Sequence, residues 1–89
     1  MIDEETLIRM TVAEAREIKW MLGAEKYGPK FIGDPVVKLH SEGIDCLNYT
    51  EELAKRDIAR AYELSDLQWH ADKIIQITRS IYARGAASG

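Results

Sequence analysis

Between Gly43 and Gly85 the chain contains neither glycine nor proline. Those two residues are the strongest local breaks in a sequence. No period-two alternation typical of a strand survives in this stretch or elsewhere. The stretch therefore reads as helix, either one very long helix or two joined by a bend. The charge-rich segment 51–60 is the first candidate for the bend. The second is Ser65-Asp-Leu-Gln68, which has the form of a capping box. Beyond it Leu67, Ala71, Ile74, Ile75, Thr78, Ile81 and Tyr82 form a helical stripe. The closing GAASG, 85–89, is expected to be a frayed or disordered tail.

Upstream, Asp3, Glu4 and Glu5 before Leu7 and Ile8 suit an acidic first helical turn. Thr11 and Glu14 have capping-box spacing. Either a helix begins near Asp3, or a short segment precedes one beginning at Thr11. Ile8, Val12, Ala15, Ile18 and Leu22 recur at spacings of three and four. Gly23 is a candidate C-cap, with a further turn over 24–27 as the alternative. Gly28-Pro29 is a firm stop. Asp34 and Pro35 suit the N-cap and first position of a second helix running to about Lys55. Val36, Leu39, His40, Gly43, Ile44, Leu47 and Thr50 make its broad face. Gly43 costs ~1 kcal/mol relative to Ala in a helix interior, so a close helix contact or a close approach to a ligand is expected there.

The fold class expected is all-α: an antiparallel bundle of three to four helices, in one domain over 1–84. A chain of 89 residues buries a smaller share of its surface than a larger protein, so a homo-oligomer is expected. The apolar and charged fractions, 46% and 30%, are those of a folded protein rather than a disordered one. A net charge of −3 argues against a general binder of polymeric nucleic acid, which shows a basic surface. Cys46 is the single cysteine; it allows no intrachain disulfide and reads as a small buried hydrophobe in a reducing compartment. No apolar run approaches a membrane span. The expected location is the cytoplasm, or the host cytoplasm for a viral protein.

Two carboxylate pairs carry the chemistry. Glu14-x-x-Glu17 lies in the first helical segment and Glu42-x-x-Asp45 in the second. Residues three apart share a helix face. If the helices fold back on one another, the pairs can converge, and four carboxylates at one spot need a strong counter-charge. Hard divalent cations take oxygen ligands, and Mg²⁺ keeps several waters and shares substrate phosphates. Two such ions can activate a water and neutralise a leaving pyrophosphate. The plainer alternatives stay open: Glu14 serves as a cap, Glu17 pairs with Arg16, Lys19 or a lysine on another helix, and Glu42 and Asp45 pair with a Lys or Arg from a neighbouring helix.

The order E-x-x-E, a linker of 24 residues, then E-x-x-D followed by Asn48-Tyr49 resembles the MazG-like superfamily, all-α nucleoside triphosphate pyrophosphohydrolases. Lys26-Tyr27-Gly28, Gly33-Asp34-Pro35 and the run SEGIDCLNY over 41–49 are similar to its small, often phage-encoded members. The resemblance covers roughly residues 10–55. It implies Mg²⁺, with Mn²⁺ as the alternative, held by Glu14, Glu17, Glu42 and Asp45, with Glu42 and Asp45 in the catalytic role. It implies cleavage of the α–β bond of a nucleoside triphosphate to monophosphate and pyrophosphate, in a homo-dimer or homo-tetramer. Lys26, Lys30 and Lys38 border the loop and are candidates for phosphate contacts, ahead of Lys73 and Arg79. Asn48 and Tyr49 are candidates for holding nucleotide or water.

His40 and His70 lack a metal-ligand partner at standard spacing. Trp20 and Trp69 suit base stacking or, alternatively, core and oligomer contacts. The alternative function, from another class, is a non-catalytic helical interaction module that binds a protein partner.

Overall fold

The computed structural model describes residues 3–28 and 33–88. Among them the only regular elements are helices: α1 (Glu4–Ile8), α2 (Val12–Tyr27), α3 (Pro35–Arg56) and α4 (Ala61–Ser88). The chain divides into two compact units, Met1–Ile32 and Gly33–Gly89.

In the first unit both starts that the sequence suggests are used. Asp3 caps α1, its Oδ1 accepting from the Thr6 N–H at 3.0 Å and from the Thr6 hydroxyl at 2.7 Å. After a short break Thr11 caps α2. The capping box is complete: Thr11 Oγ1 accepts from the Glu14 N–H, and Glu14 Oε1 accepts from the Thr11 N–H and hydroxyl. Gly23 does not end the helix. α2 runs on to Tyr27 and stops at Gly28, whose φ of 91° suits a residue without a Cβ. No described residue of this unit is buried, and Ile8 and Val12 are among its most exposed side chains.

The second unit is an antiparallel hairpin. Asp34 caps α3 through a 2.8 Å bond from the Val36 N–H, with Pro35 in the first turn. Of the two candidate bends the first is used. α3 ends after Arg56 at Asp57, which adopts the left-handed conformation with φ 54°. α4 is capped by Glu63, whose carboxylate accepts from the Arg60 N–H at 2.9 Å. Ser65 is therefore already inside α4, and its capping-box spacing marks no start. The helix passes Gly85, where the sequence suggests a tail, and reaches Ser88.

The two helices of the hairpin meet along small residues. Gly43 and Thr50 are buried on α3; Ala71, Ile75 and Thr78 are buried on α4. A Cβ built on Gly43 would stand 3.0 Å from Ile75 Cγ1 and 3.1 Å from Ile74 Cγ2. The glycine therefore answers a helix–helix contact. Both buried threonines return their hydroxyls to their own helix, Thr50 to Cys46 O and Thr78 to Ile74 O, each at 2.7 Å. That satisfies a polar group that would otherwise be costly to bury. The core is thin. Among the described residues Ala71 and Ile75 are its buried apolar side chains, while Leu67, Ile77 and Ile81 remain exposed on the neighbouring flank of α4.

Candidate functional site

Helix geometry fixes where the α3 carboxylates stand. Gly43 faces α4; at about 100° per residue, Glu42 is turned about 100° and Asp45 about 160° away from that direction. The pair lies on a flank of α3 that the hairpin does not use. Glu42 is exposed and Asp45 half-buried. Lys38 precedes Glu42 by one turn and Tyr49 follows Asp45 by one turn, so all four share the stripe. Asn48 borders it. Lys38, Asn48 and Tyr49 are exposed, and the Lys38 stem lies against Gly33.

Among the described residues neither Glu42 nor Asp45 has a hydrogen-bond or ion-pair partner; the ion pairs of this unit are Lys55–Glu51 and Arg56–Glu52, further along the helix. The Lys or Arg from a neighbouring helix that offered the plain explanation for these two carboxylates is not there among those residues. Gly43 between them belongs to the helix contact and leaves no close approach for a ligand on its own face.

The α2 pair behaves differently. Glu14 is engaged in the capping box, and its hydrogen bonds to the Thr11 hydroxyl and N–H hold its carboxyl below the ordinary glutamate value. Glu17 is exposed and lines an open apolar groove between α1 and α2 with Trp20, Leu7 and Val12. Glu14 and Glu17 belong to the first unit, Glu42 and Asp45 to the second. Within each unit no three His, Cys, Asp or Glu side chains among the described residues form a ready metal cluster. Lys26, in the last turn of α2, is exposed. Lys30 lies outside the described residues.

Of the other candidates, Lys73 lies over the Trp69 ring at 5.4 Å, and Trp69 meets His70 edge-on. Trp20 and Trp69 are both more than half exposed. Cys46 is half-buried with a free thiol. The pair that sequence reading missed is His40 with Arg79: Arg79 Nε donates to His40 Nε2 at 3.0 Å. The signal was present. The two residues stand almost equally far from the turn at 57–60, but that symmetry is visible only once the bend is placed there rather than at Ser65.

None of the described helices is long and apolar enough to cross a membrane. Compared with known proteins, the chain matches no family model, no curated protein and no solved structure.

Proposed function

We propose that the protein is a Mg²⁺-dependent nucleotide pyrophosphohydrolase that cleaves the α–β bond of a nucleoside triphosphate. The observation that carries this reading is the unpartnered pair Glu42 and Asp45, one turn apart on the free flank of α3. Two like charges one turn apart without a protein cation repel each other, and a bound cation offsets that repulsion. Their oxygen donors fit Mg²⁺, whose remaining positions are filled by water and substrate phosphates. When bound, the ion supplies charge neutralisation at the phosphates and acidifies a coordinated water. The chain itself contributes Glu42 and Asp45 as ligands and as the groups that orient the attacking water. Lys38, one turn away, offsets phosphate charge, and Tyr49 and Asn48 border the nucleotide. Mn²⁺ is the alternative ion.

The expected assembly is a homo-dimer or homo-tetramer, built as a helical bundle. The support is the thin core: each hairpin leaves Leu67, Ile77 and Ile81 exposed along one flank of α4. The same flank supports the second reading, a non-catalytic interaction module that offers this helix face to another protein.

Pyrophosphate release from a panel of nucleoside triphosphates separates the two readings. Wild type with Mg²⁺ is expected to turn over at least one of them, and Glu42→Gln and Asp45→Asn are each expected to lose at least about 2.7 kcal/mol of transition-state stabilisation, roughly a hundredfold in rate. Equal turnover in all three proteins would remove the site. Absence of turnover in wild type, with a stoichiometric protein partner, would establish the second reading.

A further inference from the structure

At the open end of the hairpin, Val36, Val37 and His40 of α3 and Thr78, Arg79 and Tyr82 of α4 enclose a cavity of about 220 Å³. Its mouth is open, with Val37 and Tyr82 each more than half exposed. Drug-sized ligands occupy about 300–1,000 Å³, so this cavity suits something smaller.

Its polar equipment is specific. Arg79 Nε donates to His40 Nε2 at 3.0 Å, with that ring nitrogen as the acceptor. Arg79 is exposed, and the bond through Nε leaves the N–H donors of its terminal nitrogens available. Among the described residues no carboxylate pairs with Arg79, in a chain whose net charge is −3. A planar guanidinium fork matches the two oxygens of a carboxylate or phosphate. The remaining wall is apolar: Val36, Val37 and the Tyr82 ring. Thr78 contributes no competing donor, because its hydroxyl is committed to Ile74 O and Ile75 O.

We propose that this cavity binds a small organic oxyanion, its carboxylate or phosphate on Arg79 and its short apolar body against Val36, Val37 and Tyr82. The site is distinct from the carboxylate stripe. His40 lies two residues before Glu42, about 160° around α3, on the opposite flank.

The test is an NMR titration of the full chain with three probes: benzoate, phenyl phosphate and inorganic phosphate. Benzoate, phenyl phosphate or both are expected to give saturable millimolar shifts centred on the Arg79 side chain and on the amides of Val37 and Tyr82. Inorganic phosphate is expected to bind more weakly, having no apolar body. Which organic probe binds tighter identifies the headgroup. Arg79→Met is expected to weaken binding about tenfold or more, since it removes a charge-assisted bond. Arg79→Lys is expected to retain only part of it, and Glu42→Gln none of the loss. Unsaturable shifts spread over every Lys and Arg would overturn the site. So would binding that survives Arg79→Met in a protein whose spectrum shows an intact hairpin. Inorganic phosphate binding as tightly as the better of the two organic probes would overturn the assignment of an organic ligand.

Discussion

Gly43 of α3 stands so close to Ile75 of α4 that a Cβ on it would come within 3.0 Å of the isoleucine Cγ1. Two effects compete in Gly43→Ala. The intrinsic gain in helix propensity is about 1 kcal/mol. Against it stands overpacking at about 1–3 kcal/mol. Both opposing atoms belong to β-branched isoleucines with stiff χ1, and Ile75 is buried, so packing should win. The variant is expected to lose about 1 kcal/mol in denaturant unfolding, and Gly43→Leu several times that. A more stable Gly43→Ala would mean that α4 can shift away at little cost.

The α2 cap makes a prediction about acid. Glu14's folded pKa is lowered by its hydrogen bonds to Thr11. Its contribution is therefore present above the ordinary value of 4.5 and is lost as pH falls through the lower folded value. The amide of Glu14 and the first turn of α2 should lose protection from hydrogen exchange over that window. Thr11→Ala should cost about 1 kcal/mol of helix stability and abolish the pH step at this end.

If Glu42 and Asp45 are held for a ligand rather than for the fold, removing one charge should not weaken the metal-free protein. Like charges at this spacing cost an isolated helix about 0.2–0.5 kcal/mol. Glu42→Gln and Asp45→Asn should thus leave the melting temperature unchanged or slightly raised without Mg²⁺. Added Mg²⁺ should stabilise wild type and fail to stabilise either variant. Marked destabilisation of the metal-free variants would assign the pair a structural partner instead.

The exposed flank of α4 should be covered in solution by another copy of the chain. Wild type is expected to sediment above monomer mass at micromolar concentration. Ile77→Glu with Ile81→Glu should shift it towards monomer and lower its helicity. A wild type that sediments as monomer at every concentration would sink the oligomer.

Much of the helix layout was legible because its signals are local. The Thr11–Glu14 box, Asp34-Pro35 and the position of the first bend each depend on residues within one turn of one another. Ser65 and Gly23 misled for the same reason. A capping-box spacing inside a helix already started by Glu63 has no orphan N–H to satisfy, and a glycine ends a helix only where the chain must turn left-handed, as it does at Gly28. The role of Gly43 was half legible: the need for close approach could be read, the isoleucines that fill it could not. His40 with Arg79 joins residues 39 apart, so no local signal marks it and only the placement of the bend points to it.

The turn at Asp57 sets an order of events. Pairs beside it close short loops, and each pair further out closes a longer one at a slowly rising entropic cost. The hairpin should zip outward from 57–60, with His40 and Arg79 joining late and parting early. A ligand seated in the cavity beside them would act as a clasp on the slowest-closing end of the hairpin, where a small amount of binding energy has the most leverage over fraying.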